Sequence, residues 1–155
     1  MNYIIDACAL IDASKNYPIN METFEPIWNK LDEMINEGRL LSSIEVKFEI
    51  LDEDLLSWLK NRKSLFVPLD RTIQEKVTEI LCKFPNFIKL TSIKNSNADP
   101  FLVATARIFN ERNVTVVTNE RKSASNADYV KIPNVCHSYN IRTINLNQFI
   151  KEILD

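Results

Sequence analysis

The sequence predicts an α/β protein with a parallel sheet that helices cover on both faces. Short apolar stretches alternate along the chain with segments in which apolar residues recur at helical spacing, which is the pattern of βαβ units. Two of these stretches, residues 3–5 and 114–118, lack the alternation of a half-exposed strand and therefore suit strands buried on both faces. The 155 residues contain no linker rich in Pro, Gly or Ser, so we expect one domain spanning residues 1–155.

The same patterns place each element in order. The predicted strands are residues 3–5, 39–41, 65–67, 114–118, 130–133 and 141–144. The predicted helices cover residues 24–35, 42–60, 72–83, 99–109 and 146–153. The apolar residues 9–11 lead into a turn over residues 12–18, and polar loops are expected over residues 94–97 and 121–128.

The ends of two helices are predicted from individual residues. Gly38 suits the left-handed residue that follows a helix. Ser42 and Glu45 have the spacing of a capping box, which predicts that the long helix begins there. The buried face of this helix is expected to include Phe48 and Leu51.

The composition is typical of a soluble globular protein, with 45% hydrophobic and 26% charged residues and a formal net charge of −2. The strong basicity that usually marks nucleic-acid binding is missing, although local lysines can still line a groove. The single glycine, Gly38, excludes every Gly-rich phosphate-binding loop.

No apolar run approaches the ~20 residues of a membrane span, and the N-terminus has no signal-peptide pattern. We therefore expect a cytoplasmic protein in which Cys8, Cys82 and Cys136 are reduced and buried.

Four acidic residues are expected to meet at one edge of the sheet. Asp6 directly follows the first strand, and Glu120 lies two residues beyond Thr118, where a later strand ends. Asp99 opens a helix, and Glu49 lies on the long helix. Ligands of open α/β sheets bind beyond the carboxyl ends of the strands.

Four carboxylates there would repel one another unless cations neutralise them, and hard oxygen ligands select Mg²⁺ or Mn²⁺. Two such ions ~4 Å apart can activate a water and stabilise the leaving oxygen of a phosphodiester.

Each acid also has a simpler interpretation. Asp99 stands before a proline, as an N-cap does, whereas Glu49 suits an exposed helix position and Glu120 a surface loop. Asp6 is the hardest to explain in this way, because a carboxylate directly after a buried strand is costly unless it faces a site. The single histidine, His137, excludes a metal site built from several histidines.

Four segments of the chain together resemble the PIN domain family. They are YIID at residues 3–6, EVKFEIL at residues 45–51, ADPFLVATA at residues 98–106 and VVTNE at residues 116–120. Their order and spacing cover nearly the whole chain. KIPNVC at residues 131–136, together with Trp28, resembles a compact branch similar to the VapC-type toxins of toxin–antitoxin systems.

The resemblance implies a Rossmann-like three-layer α/β/α sandwich with a central parallel sheet, usually of strand order 3-2-1-4-5. It implies a Mg²⁺- or Mn²⁺-dependent endoribonuclease that cleaves RNA to leave a 5′-phosphate and a 3′-hydroxyl. It also implies a cognate antitoxin protein as partner, and members of the family commonly form homodimers. Asp6 and Asp99 would be the principal ligands of one or two ions. Glu49 and Glu120 would complete the catalytic cluster and orient metal-bound water.

Three features depart from the family pattern. The fourth acid is usually Asp, whereas Glu120 is one methylene longer. Many members carry Ser, Thr or Asn after the first Asp, whereas Ala7 and Cys8 stand here and would remove those polar partners. The chain is not basic, so Arg121 and Lys122 are the best candidates for phosphate contacts. Less central candidates are Lys131 and Arg107.

Two other functions stay open. A catalytically inactive PIN-like interaction domain would keep the fold without nuclease activity, and the departures at residues 7–8 and at Glu120 favour it. A phosphoryl-transfer or receiver-type domain would use Asp6 as its phosphate acceptor. The DxD spacing of haloacid-dehalogenase-like phosphatases is missing, however, because the sequence reads Asp6-Ala7-Cys8.

Overall fold

Five short parallel strands form the central sheet of the computed structural model, which describes residues 1–87, 98–124 and 129–155. The strands are β1 (Asn2–Ile5), β2 (Leu40–Ser43), β3 (Phe66–Val67), β4 (Val114–Val117) and β5 (Arg142–Ile144). They lie in the order β3-β2-β1-β4-β5, and each neighbouring pair is parallel. This is the strand order that the resemblance implied.

β1 lies at the centre of the sheet because its side chains are apolar on both faces. Ile4 and Ile5 are at most 1% exposed, and all four residues of β4 are buried. Asn2–Ile5 aligns with Val114–Val117, so the two strands end at the same edge. The two apolar stretches singled out in the sequence are therefore the buried central strand and one of its two neighbours, and both are buried as predicted.

Eight helices lie within the described ranges and cover the two faces of the sheet. They are α1 (Ala7–Asn16), α2 (Glu25–Asn36), α3 (Ile44–Lys47), α4 (Glu53–Leu59), α5 (Arg71–Lys83), α6 (Ala98–Phe109), α7 (Ile132–Ser138) and α8 (Leu146–Leu154). In one layer, α6 lies across β1, β2 and β4, between α5 and α7. In the other, α8 packs against α1 and α2, and the rings of Tyr3 and Phe149 meet with centroids 4.9 Å apart. The fold is a three-layer α/β/α sandwich, which confirms the prediction.

The long helix predicted over residues 42–60 is wrong. Ser42 belongs to β2, where its hydroxyl donates a 2.6 Å hydrogen bond to the Ile5 carbonyl in β1. Ser43 caps α3 instead, and this helix ends after one turn. A second cap, Asp52, starts α4 by accepting a 2.8 Å hydrogen bond from the Leu55 N–H. Two caps nine residues apart therefore divide one predicted helix into two.

The break between α3 and α4 exposes two side chains that were predicted to be buried. Phe48 is 68% exposed and Leu51 is 84% exposed. The chain turns between the two helices, so the helical spacing that placed both residues inward does not continue across residues 48–52. The apolar face resumes only in α4, where Leu55 and Leu59 are buried.

Three other local predictions are corrected. α1 continues to Asn16, where a turn over residues 12–18 was expected. Residues 130–133 lead into α7 and not into a strand, because Pro133 suits the first turn of a helix and cannot donate to a sheet. α6 begins at Ala98, which places Asp99 in its first turn and not at its N-cap. The loop predicted over residues 94–97 lies outside the described residues, as do residues 125–128 of the loop predicted over residues 121–128, whereas residues 121–124 form neither helix nor strand.

Two further expectations concern the burial of the cysteines and the absence of a membrane-spanning segment. All three cysteines are free thiols, but Cys82 is exposed and Cys8 is half-buried, so only Cys136 is fully buried as predicted. No helix within the described ranges combines the length and the apolar character needed to cross a membrane.

Candidate active site

Asp6 lies at the point where the central strand ends and α1 begins. Its N–H continues the sheet by donating to the Val117 carbonyl at 2.9 Å, and its side chain caps α1 by accepting from the Ala7 N–H at 2.7 Å. Only 3% of the residue is exposed. Burial is the main reason that the pKa of this carboxyl rises to about 6, and the negative charges of Glu120 and Glu49 act in the same direction.

Two hydrogen bonds hold the second oxygen of the Asp6 carboxylate. The Cys8 thiol donates to Oδ2 at 2.9 Å, and the Thr118 hydroxyl donates to it at 3.0 Å. Burial and the Asp6 charge raise the pKa of the Cys8 thiol, so the thiol keeps its proton and remains a donor. The expectation that residues 7–8 leave Asp6 without polar partners is therefore wrong. The Cys8 thiol and the Thr118 hydroxyl both serve as polar partners of Asp6.

Asp99 lies in the first turn of α6, the helix that crosses the middle of the sheet. The pKa of its carboxyl is raised to about 8, mainly by burial and also by the negative charges of Glu120, Asp6 and Glu49, in that order of importance. Charges in a protein affect one another in this way only when they lie close together. Glu49, Asp99 and Glu120 therefore lie within electrostatic range of Asp6, which follows β1 at the carboxyl edge of the sheet.

The two glutamates enter this group from turns and loops. Glu49 is half-buried in the turn after α3, and not on a helix as predicted. The Glu120 N–H donates to the Thr118 hydroxyl at 3.1 Å, and Glu120 Oε2 accepts from the Ile132 N–H at 3.1 Å. The longer side chain of Glu120 thus reaches the start of α7, where a carboxylate is favoured by the helix dipole.

The donor set of this site suits a hard divalent cation, whereas its arrangement is not that of a closed metal centre. Carboxylate oxygens are the ligands of Mg²⁺ and Mn²⁺. Neighbouring acids contribute to the raised pKa values of Asp6 and Asp99, and a bound cation would offset this repulsion between carboxylates. Within residues 1–87, 98–124 and 129–155, no three His, Cys, Asp or Glu side chains are placed to hold a metal ion.

Asn119, which was not among the predicted site residues, connects the end of β4 to the neighbouring helices. The Asn119 amide donates to Asp12 in α1 and accepts from the Leu146 N–H at the start of α8 at 2.9 Å. Its backbone N–H also donates to Cys8 Sγ at 3.4 Å. The signal that singled out Asp6, a polar residue directly after a buried strand, applies equally to Thr118 and Asn119.

Arg121 and Lys122, the predicted phosphate contacts, are exposed beside a cavity of about 720 Å³. The cavity lies along β5 and beyond the end of β4, and residues 118–120 form part of its wall. Arg107 has a different role, because it forms an ion pair with Glu79 at 2.9 Å on the outer face of the molecule.

The fold and the site together define an α/β protein with a cluster of acids at the carboxyl edge of a parallel sheet. Residues 3–153 match the family described as Domain of unknown function (DUF4411), and the chain belongs to that family. Among solved structures it is similar to the crystal structure of PAE2754 from Pyrobaculum aerophilum, with 15% identity, a TM-score of 0.48, and coverage of 99% of this chain and 97% of that chain. A search of curated proteins finds no match. None of these comparisons names an activity.

Proposed function

We propose that this protein is a Mg²⁺- or Mn²⁺-dependent endoribonuclease and the toxin of a type II toxin–antitoxin pair. The proposal follows from the resemblance of its four acidic segments to PIN domains. The observation that carries it is the pair Asp6 and Asp99, two largely buried carboxyl groups whose pKa values rise through burial and neighbouring acids. Acids are rarely buried without a compensating partner, and perturbed pKa values are concentrated at functional sites.

Each acid has surroundings that support a distinct role. Asp6 accepts hydrogen bonds on both carboxylate oxygens, which fixes the orientation of a principal ligand. Asp99 lies in the first turn of α6 and would be the second principal ligand. Glu49 and Glu120 lie in turns and loops, from which they would complete the cluster and orient the attacking water. A bound divalent cation would activate that water and stabilise the leaving oxygen.

The charge of the substrate makes a cation necessary for this chemistry. A phosphodiester is an anion, and the four carboxylates would repel it in a cation-free site. The protonation of Asp99 favoured by its pKa of about 8 lowers this repulsion without removing it. Loading of the cation and binding of the RNA phosphate would therefore support each other.

Replacement of either principal acid tests the proposal directly. We expect Asp6→Asn and Asp99→Asn each to lower the rate of RNA cleavage by about 100-fold or more, because each removes a charge that the transition state requires. Cleavage of total cellular RNA in Mn²⁺ and growth of cells that express the protein are the two measurements. Asp54→Asn, at an exposed position in the first turn of α4, is the matched control and should behave as the wild type. Retained cleavage in both site variants would refute the proposal.

The catalytically inactive interaction domain remains the second candidate because one observation favours it. No three acids of the described ranges are arranged to hold a metal ion together. Calorimetric titration of Mn²⁺ into the wild type and Asp6→Asn separates the two candidates. Saturable binding that disappears in Asp6→Asn supports the nuclease, whereas absence of binding to the wild type at millimolar Mn²⁺ supports the interaction domain.

A further inference from the structure

We infer that the cavity beside Glu120 binds a single-stranded segment of the RNA substrate, next to the phosphate that is cleaved. The inference rests on the proposed function. It adds to that function a place where the RNA is held and a physical basis for sequence selectivity.

The cavity adjoins the acids through a shared stretch of chain. Residues 118–120 line it, and the same stretch contributes Glu120 to the acid cluster and the Thr118 hydroxyl that bonds to Asp6 at 3.0 Å. An RNA strand with one phosphate at the acids would therefore continue directly into the cavity. The volume of about 720 Å³ lies within the ~300–1,000 Å³ typical of ligand sites.

The cations of the cavity suit an anionic ligand. Arg121 and Lys122 are exposed on its wall, and neither forms an ion pair with another residue in the described part of the chain. Arg142 also lines the cavity, but its guanidinium is paired with Glu152. Arg121 and Lys122 are therefore the side chains that would contact phosphates and position the strand.

Amide side chains at the start of α8 supply hydrogen-bond donors to the same cavity. Asn145 Oδ1 accepts from the Gln148 N–H at 2.9 Å, and Gln148 Oε1 accepts from the Asn145 N–H at 2.9 Å. Each amide thus uses its oxygen to cap the helix, and its NH₂ group remains a donor. Base carbonyls and ring nitrogens are matching acceptors. Proteins read such base edges on unstacked single-stranded RNA, because the deep groove of an A-form duplex hides them.

Binding of a single-stranded RNA to variants that lack the positive charges of Arg121 and Lys122 tests whether these residues hold the RNA. The probe is a fluorescein-labelled RNA of about 12 nucleotides with randomised sequence, a length within the site size of single-strand binding domains. Ca²⁺ replaces Mg²⁺, since its looser coordination geometry fills acidic sites without the strict octahedral arrangement of Mg²⁺. A gel checks that the probe stays intact. We expect Arg121→Ala/Lys122→Ala to lower affinity and to reduce the slope of log K against log salt by about 1.4, or ~0.7 for each lost contact.

The matched control removes the same charge from another part of the molecule. Lys60→Ala/Lys63→Ala changes two exposed lysines that precede β3, at the amino end of that strand and outside the cavity lining. We expect this variant to keep the affinity and the salt slope of the wild type. If the two double variants lowered the slope of log K against log salt equally, the attraction of RNA would be diffuse and not specific to the cavity. That result would overturn the inference.

Conservative amide variants test the cavity itself. Asn145→Asp and Gln148→Glu keep the oxygens that cap α8, so the unfolding temperature should stay within about 2 °C of the wild type. Both remove an NH₂ donor and add a negative charge, so we expect RNA affinity to fall by about 10-fold for each. Gln74→Glu on the exposed face of α5 makes the same chemical change elsewhere and should leave affinity unchanged.

The outcomes separate this inference from the proposed function. Absence of RNA binding by the wild type, or wild-type affinity in Asn145→Asp and Gln148→Glu, overturns the assignment of the cavity. If that happens while Asp6→Asn still abolishes cleavage, the nuclease proposal stands alone. If the cavity variants weaken binding while Asp6→Asn cleaves normally, the cavity stands and the catalytic assignment fails.

Discussion

At the residue scale, the ionisation of Asp6 is set by two opposing effects. Burial raises the pKa of the carboxyl, whereas the hydrogen bonds from Cys8 and Thr118 favour the charged form and lower it. The net result is a pKa of about 6, so a substantial fraction of Asp6 is ionised at neutral pH even in the cation-free protein. The two donors therefore keep Asp6 ready to act as a ligand.

Removal of either donor should shift this balance. We expect Thr118→Val and Cys8→Ala each to raise the pKa of Asp6 from about 6 to about 7, because a hydrogen bond to a charged group contributes roughly 1.5 kcal/mol. Cys8→Ser retains a donor and should leave the pKa near its wild-type value. Carboxyl ¹³C NMR titration of the metal-free protein measures the change, with Thr78→Val on α5 as the control. An unchanged pKa in Thr118→Val would show that its hydroxyl does not stabilise the carboxylate.

At the element scale, α2 and α7 are each followed by a left-handed residue that turns the chain back into the sheet. Gly38 follows α2 with φ of +69°, as predicted, and leads into β2. Asn140 follows α7 with φ of +58° and leads into β5. Glycine adopts this conformation without steric cost and asparagine adopts it at some cost, so the two positions are matched in geometry and differ in strain.

Substitutions at these two positions should have opposite effects on stability. We expect Gly38→Ala to lower the free energy of unfolding by about 1 kcal/mol through backbone strain alone, since a Cβ there meets no atom within 4 Å. Asn140→Gly should raise it by a few tenths of a kcal/mol, roughly 1 °C in unfolding temperature for a domain of this size. Urea denaturation measures both changes. Asn29→Gly, at an exposed position inside α2, is the control and should destabilise, because glycine is unfavourable inside a helix.

At the scale of the whole molecule, the buried acids make stability depend on pH. The pKa of Asp99 is about 8 in the folded protein, against an ordinary value of 3.8. Between these values the folded state binds more protons than the unfolded state, so the free energy of unfolding falls as pH rises from about 4 to about 8. Asp6, with a pKa of about 6, contributes in the same direction over the lower part of this range.

Neutralising Asp99 should remove most of this dependence. We expect metal-free Asp99→Asn to unfold about 5 °C higher than the wild type at pH 8 and at nearly the same temperature at about pH 3, where Asp99 is mostly protonated in both states. Scanning calorimetry across this range makes the comparison. Asp54→Asn, on the exposed start of α4, should show no such difference. Equal unfolding temperatures at pH 8 would mean that Asp99 is not held in a repulsive cluster.

Local patterns in the sequence determined the fold class and the order of the acids. Apolar stretches identified β1 and β4, and the position of Asp6 directly after β1 identified the edge where the site lies. These predictions succeed because a buried strand appears in the sequence as a continuous apolar run, and its end appears as the polar residue that follows. The parallel arrangement then brings distant acids such as Glu120 to the same edge.

Only the tertiary structure decided which polar side chains act on which partners. Ser42 has the spacing of a helix cap, yet it donates to Ile5, 37 residues earlier in the chain, because β1 lies beside β2. Thr118 bonds to Asp6 across 112 residues for the same reason. Local spacing describes what a residue can do within its own segment. Its actual partner depends on which strand packs alongside, and that choice is made by the burial of the whole sheet.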